Sequence, residues 1–172
     1  LLITTPSYIM KKQTKQAFLD AYEQHAEAIY RHCYFRLLSK EKAEELSQET
    51  FLRTWQYLEK GKEVDNLKPF LYRVATNLII DFVRKKKEAS LDKMLEDRPH
   101  TEPVGLDAGH LEQQIDLSHL HDALALMDQE DRDLITMRYI DDMDPKEIAP
   151  ILDITPNHVS VKLNRSVKKL TQ

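Results

Sequence analysis

Asp144-Pro145-Lys146-Glu147-Ile148-Ala149-Pro150-Ile151-Leu152-Asp153-Ile154-Thr155-Pro156-Asn157-His158-Val159 carries two helix starts in close succession. Asp144 is an N-cap residue, Pro145 takes the first helical position, where its missing N–H does little harm, and Glu147 reaches back to the cap amide. Ile148, Ala149 and Leu152 give the helix a short apolar stripe, which breaks at Asp153-Ile154. Thr155-Pro156 then opens a second helix. In that helix Val159, Leu163, Val167 (or Ser166) and Leu170 turn inward, while Asn157, His158, Ser160, Val161, Lys162, Asn164, Arg165 and Lys168 face out. A short helix, a tight turn and a longer helix with a basic outer face form a helix-turn-helix. The second helix of such a motif enters the major groove while the first lies across the backbone. Pro150, one turn into the first helix, is expected to kink or shorten it. A helical packing unit with a basic tail and no DNA role is the alternative the spacing leaves open.

Outward from this motif, residues 117–126 and 129–140 read as two more helices, with Leu120, Leu124, Leu134, Ile135 and Met137 supplying its core. Charge is strongly segregated here. Residues 117–154 hold 3 basic and 10 acidic groups, whereas 155–172 hold Lys162, Arg165, Lys168 and Lys169 and no acid. The net charge of -4 over 172 residues therefore conceals a local basic helix. Residues 1–87 carry a net +5, residues 88–116 a net -6 and residues 117–172 a net -3, so the middle segment reads as an acidic tether between two units. Pro99, Pro103, Gly105 and Gly109 fall in it, and its apolar residues keep no sustained period.

The unit from 15 to 87 reads as three helices. From Lys15 to Leu38 the residues Phe18, Leu19, Tyr22, Ala26, Ile29, Tyr30, Cys33, Phe35 and Leu37 keep helical spacing without Gly or Pro. Ser39 caps a second helix from about Lys40 to Leu58, with Leu46, Phe51, Leu52 and Trp55 as its apolar stripe and Gly61 as its stop. After a polar loop, Asn66 caps a third, with Pro69 in its first turn and the basic run Arg84 to Lys87 at its end. Along this third helix Arg73, Asn77, Asp81, Arg84 and Lys85 share one face, and Leu71, Val74, Leu78 and Phe82 turn inward. An amide can donate and accept on a base edge, guanidinium and ammonium groups neutralise phosphates, and Tyr72 offers a ring for stacking on an unpaired base. An ordinary solvated face, with Asp81 paired to Arg84 or Lys85, is the other reading of a lone helix.

Composition removes several classes of function. One cysteine, Cys33, can form neither an internal disulfide nor a thiolate cage, and it is expected in the core of the first helix. The seven histidines show no metal-ligand spacing, and no glycine-rich phosphate loop exists, so no metal, cofactor or enzymatic site is expected. No apolar run is long enough for a signal sequence or membrane span, which points to a cytoplasmic protein without stable membrane insertion.

Taken together, Ala43-Glu44-Glu45-Leu46-Ser47-Gln48-Glu49-Thr50-Phe51-Leu52-Arg53-Thr54-Trp55 resembles region 2.2 of bacterial sigma factors of the extracytoplasmic-function (ECF) branch. Pro69 to Arg84 resembles their regions 2.3 and 2.4. Ala123 to Met127, Arg132 to Tyr139 and Glu147-Ile148-Ala149 resemble region 4. The resemblance implies an all-α protein of two small helical domains on a flexible linker: a 1–14 extension, region 2 over 15–87, a linker over 88–116 and region 4 over 117–172. It implies a contact of Glu45, Gln48, Glu49, Leu52 and Trp55 with the clamp helices of the largest catalytic subunit of core RNA polymerase. Tyr72, Arg73, Asn77, Asp81, Arg84 and Lys85 are its candidates for reading and melting the -10 element, with the loop Gly61 to Leu67 as the wall of a base pocket. Lys146, Asn157, His158, Ser160, Lys162 and Arg165 are its candidates for the -35 element. Promoter DNA, core polymerase and an anti-sigma factor are the implied partners. A sigma-like decoy that only binds an anti-sigma factor and a stand-alone helix-turn-helix regulator are the alternatives. Ser160, Asp153 and Asn157 depart from the family pattern, which has a basic residue at the first position and glycine at the other two; Leu1 to Ile9 match nothing, and Met10 is a candidate start. The acidic 117–154 segment and the basic Arg84 to Lys87 run predict that the two units pack together in the free chain and hide both DNA faces.

Overall fold

The computed structural model describes residues 6–93 and 119–170, and every regular element among them is helical. Helix α1 spans Pro6–Leu37 and stops where Leu38 turns left-handed at φ 53°. Helix α2 spans Lys40–Glu59. Its cap is Ser39, whose hydroxyl accepts from the Lys42 amide, and Gly61 at φ +75° ends the segment as expected. Helix α3 spans Leu67–Lys93, and Asn66 Oδ1 accepts from the Lys68 amide at 3.1 Å. The helix thus takes in the first six residues of the expected tether, 88–93. The rest of the tether's 88–116 span lies outside the described residues.

These three helices pack around Ile29, Cys33, Ala43, Leu71, Ala75 and Ile79, all at 1% exposure or less. Phe18 lies 5.1 Å from Trp55, and Tyr22 lies 4.8 Å from Phe51, so rings from α1 and α2 interlock at one end of the bundle. Leu19, Tyr22 and Leu52, expected inside by their spacing, stay 43%, 49% and 50% exposed.

Helix α4 covers 119–125, and α5 covers Gln129–Ile135. Asp128 caps α5 through the Asp131 amide; that bond and the nearby Lys169 ammonium hold its carboxyl below the usual range. The continuous helix expected to Ile140 instead widens into a π-helical turn, Thr136–Ile140, which the Asp141 amide closes on the Thr136 carbonyl at 3.0 Å. Helix α6, Pro145–Leu152, begins with the anticipated capping box: Asp144 Oδ1 accepts from the Lys146 and Glu147 amides at 2.7 and 3.0 Å, and Glu147 Oε2 accepts from the Asp144 amide at 2.9 Å. Pro150 lies inside α6 without ending it. Asp153 takes the left-handed turn at φ 55°, and Thr155 Oγ1 accepts from the His158 amide at the head of α7, Pro156–Leu170. Val159, Leu163 and Ser166 line the buried side of α7 with Val167 half-buried beside them, while the side chain of Leu170 lies outside the described residues.

The two units are in contact, but they do not hide both DNA faces as expected: Arg84 pairs with Asp81 of its own helix, and Arg73, Asn77 and Lys85 on one unit and Asn157, His158 and Arg165 on the other stay exposed. Helix α1 packs on α5 and the π turn, and α3 packs on α6. Phe35 of α1, 4% exposed, is buried against Leu124 and Ile135 of the second unit.

Candidate nucleic-acid interface

Three surfaces collect the candidate residues. On α3, Arg73, Asn77, Asp81, Arg84 and Lys85 are all exposed, and Asp81 accepts from Arg84 Nη2 at 3.3 Å. Their spacing of four, four and three residues from Arg73 to Arg84 aligns them on one stripe. Tyr72 does not join them. It lies 100° round the helix with Ala75, Thr76 and Ile79, is 3% exposed, and meets the His32 ring edge-on at 5.0 Å. Burial also pushes its hydroxyl above the usual tyrosine range. The expectation of a stacking ring at Tyr72 is corrected by that register.

Aromatic surface is present on the reading side all the same. Phe70 lies three residues before Arg73 on the same stripe, half-buried, with its ring 4.9 Å from Tyr57. Lys62, from the loop expected to wall the base pocket, sits 4.8 Å above the Tyr57 ring. Sequence reasoning passed over this pair because Tyr57 and Phe70 flank a loop and belong to no single periodic stripe.

On α2, Glu45, Gln48 and Leu52 are exposed and Glu49 and Trp55 half-buried. Glu45 accepts from Lys42 at 2.5 Å and Glu49 from Arg53 at 2.7 Å, so part of the acidic charge is already answered within the helix. Leu52 on the same helix and Leu19 and Tyr22 on α1 are exposed apolar side chains, and the Tyr22 ring reaches α2 at Phe51.

On α7, Asn157, His158, Val161, Asn164 and Arg165 are exposed. Ser160 is half-buried, its hydroxyl donating back to the Pro156 carbonyl at 3.0 Å, and half-buried Lys162 is ion-paired to Glu130. Lys146 is exposed at the start of α6. Arg84 and Lys87 of α3 face Lys162 and Glu130 across a cleft of about 440 Å³, floored by Ile79, Leu134 and Leu152.

Between the units lies a buried polar network that the linear sequence did not reveal. Arg36, 0% exposed, grips Asp133 with two bonds, Nε to Oδ1 at 2.9 Å and Nη2 to Oδ2 at 2.8 Å, and donates from Nη1 to Thr76 Oγ1 at 2.8 Å. His32 Nδ1 meets Asp141 Oδ2 at 2.6 Å, and its Nε2 lies 3.0 Å from Arg36 Nη1. A guanidinium can only donate, so Nε2 must be the acceptor and Nδ1 carries the hydrogen given to Asp141. Burial lowers the pKa of His32 against the opposing pull of Asp141, in keeping with a neutral ring. The available signal was a His and an Arg at positions i and i+4 on the same inner stripe as Ile29 and Cys33. Their partners lie 109 and 97 residues away. Cys33, buried beside them, has its thiol pushed up to about 12, which withholds the thiolate that redox chemistry needs.

Residues 21–89 match the family described as sigma-70 region 2, and residues 118–170 match sigma-70, region 4. The chain belongs to the sigma-70 family. Its relatives place it in the ECF branch. The ECF RNA polymerase sigma factor SigW of Bacillus subtilis is 28% identical over 94% of this chain and 90% of that protein. The sigma factor SigV of the same organism is 25% identical over 92% of each. Solved structures share the fold: RpoE of Bartonella quintana, in complex with the anti-sigma factor NepR, has a TM-score of 0.73 at 19% identity over 90% of this chain and 94% of that one. CnrH, in complex with the cytosolic domain of CnrY, has 0.67 at 18% identity over 95% and 93%. This sigma factor is accordingly an initiation factor and not an enzyme. Among its described residues no helix is long and apolar enough to cross a membrane.

Proposed function

We propose that this ECF sigma factor binds core RNA polymerase through α2 and directs it to promoters whose -10 element is opened by α3 and whose -35 element is read by α7. The observation that carries the reading is the pairing, on one chain, of a basic, amide-bearing α3 face with a helix-turn-helix whose α7 exposes Asn157, His158 and Arg165. A repressor needs the second element alone. Leu52, Leu19 and Tyr22 offer the apolar centre of a docking patch, with Glu45, Gln48, Glu49 and Trp55 around it, suited to a basic coiled coil.

On α3, Arg73, Arg84 and Lys85 hold phosphates, and Asn77 and Asp81 contact base edges. Phe70 and Tyr57 take the stacking role, with the loop from Gly61 to Leu67 closing over the extruded base. Extrusion costs a few kcal/mol, roughly, which stacking and base-edge bonds must offset. On the second unit, Asn157, His158, Ser160, Lys162 and Arg165 approach the major groove, and Lys146 meets the backbone. Work on core polymerase places the protein in the cytoplasm. An anti-sigma factor is its proposed regulator, supported by the complexes in which its structural neighbours were solved.

Transcription in vitro over a genomic DNA library, with core polymerase alone and with the chain added, tests the reading. New start sites that share two spaced upstream elements are expected. Polymerase binding without new starts would favour a decoy, and DNA binding without polymerase binding a plain helix-turn-helix regulator.

A further inference from the structure

Beside the seam of buried ion pairs, the two units close around the cleft of about 440 Å³ between α3 and the helices of the second unit. That volume falls among small-molecule sites, which run from about 300 to 1,000 Å³. The cleft changes character along α3. Ile79, Ile80 and Val83 line it first, and Arg84 and Lys87 follow toward the C-terminal end of the same helix face. Leu134, Leu152 and Ile154 continue the apolar wall from the other unit. Ile80 is left 46% exposed there, and Val83, Leu152 and Ile154 are half-buried, so the wall has apolar surface still open to a ligand.

The charges at the mouth do not cancel. Asp133 is held by Arg36 and Glu130 by Lys162, so both acids of the lining already have their cations. Arg84 has one long bond to Asp81, at 3.3 Å on the open surface. Lys87 is exposed and makes no ion pair among the described residues. Two cations at one end of an apolar cleft call for a ligand with a charged head and a hydrocarbon tail.

We propose that this cleft binds a single-chain anionic amphiphile, a fatty carboxylate, with its tail on Ile80, Val83 and Leu152 and its head between Arg84 and Lys87. Covering apolar wall and tail together supplies affinity without direction. The head supplies direction, because a carboxylate seated at the apolar end would lose its hydration unpaired, whereas at the mouth it accepts from the Arg84 guanidinium and the Lys87 ammonium. An inorganic anion leaves the apolar wall uncovered, and a nucleic-acid strand would set phosphates against it. The bound head occupies Arg84, assigned above to a promoter phosphate, so the ligand competes with the -10 element. That consequence rests on the proposed reading of α3; the binding site does not.

Calorimetric titration of the full chain with hexanoate, octanoate, decanoate and dodecanoate, each below its micellar concentration at neutral pH, is the test. One ligand per chain is expected, with affinity rising about fourfold per added methylene, the equivalent of about 0.8 kcal/mol, until the cavity is full. Ile80→Trp fills the cleft from a partly exposed position and is expected to keep its helix content while losing the worth of about two methylenes, roughly fifteenfold, for decanoate. Ile80→Gln removes apolar wall without adding volume; it carries the test should Ile80→Trp lose its helices, with about a fourfold loss expected. Lys87→Ala is expected to lose about fivefold for decanoate, the worth of an exposed ion pair, and nothing for uncharged decan-1-ol. Affinity that ignores chain length, or equal affinity of wild type and the folded Ile80 variants, overturns the site. Equal decanoate binding by wild type and Lys87→Ala overturns the placement of the head. Cosedimentation with phosphatidylglycerol vesicles that is lost in Ile80→Trp would assign the cleft to a bilayer lipid and overturn the single-chain ligand. In transcription in vitro decanoate is expected to suppress starts by wild type and to spare those by Ile80→Trp. Binding without suppression counts against the proposed reading of α3 while the site stands.

Discussion

Replacing Phe70 by Ala separates the two accounts of how α3 holds an extruded base. Phe70 is half-buried on the Arg73–Asn77 stripe with Tyr57 4.9 Å away, whereas Tyr72 is buried against His32. Stacking of a base on an aromatic ring contributes about 1–3 kcal/mol, or roughly 5- to 150-fold in an equilibrium. Tyr57 remains in the variant, so the loss is expected at the lower end, about tenfold in promoter opening. A fluorescent base analogue in the -10 element, followed with core polymerase and the variant, reports that opening directly. Losing a half-buried ring costs about 1.5–2.5 kcal/mol, about half the full-burial cost, and a melting temperature about 3–10 °C lower is expected in consequence. The assay must run well below that. Tyr72→Leu supplies the contrast: it costs stability through lost packing, but its folded fraction opens the promoter as wild type does. Normal opening by Phe70→Ala, or a specific opening defect in folded Tyr72→Leu, would refute the assignment.

Three further outcomes are expected. Leu52→Glu, at a half-exposed site, changes stability by no more than about 0.5 kcal/mol and weakens binding to core polymerase at least tenfold, roughly, measured by titration of labelled polymerase. Asp153→Gly relieves the left-handed strain at φ 55° against a larger chain entropy when unfolded, for a net gain of about 0.5–1 kcal/mol and a rise in melting temperature of about 1–4 °C. Acidification weakens the closed fold through His32, which faces Asp141, Arg36, Asp133, Thr76 and the Tyr72 ring. Its pKa in the closed chain lies below the ordinary 6.5, so the unfolded chain binds the proton first; the contribution is complete above that value and is lost as pH falls below it. Thermal melts of wild type should therefore drop more steeply below pH 6.5 than melts of His32→Gln, and parallel curves would remove His32 from the account.

Much of the local architecture could be read from individual residues. Ser39, Asn66, Asp144 and Thr155 each begin a helix where their short polar side chains can hold the first free amides, and Gly61 ends one where a positive φ is needed. Asp153 serves in place of the family's glycine because aspartate tolerates the left-handed region better than most residues do. Errors arose where a position depends on what lies across from it. Tyr72 looks like a stacking ring until its register with Ala75 and Ile79 is counted. Leu52 looks like core, yet it stays 50% exposed while Phe51 beside it packs against Phe18 and Tyr22 of α1. The π turn at Thr136–Ile140 has no local signature, and its consequence, Asp141 at His32, depends on a partner 109 residues away. The seam shows the same limit: contact between the units was expected through the Arg84 to Lys87 run, whereas the pairs that join them, Arg36 with Asp133 and His32 with Asp141, required the folded chain.

If one chain carries two separate reading heads, α3 and α7, crossing protein and promoter substitutions at one mapped start site separates them, with initiation by core polymerase as the readout. Arg165→Ala should reduce initiation on the intact promoter and cause no further loss once the upstream element is scrambled. Asn77→Ala should show that relation with the downstream element alone. If each variant lowers initiation by the same factor whichever element is scrambled, the two helices do not read separate elements and the claim is wrong.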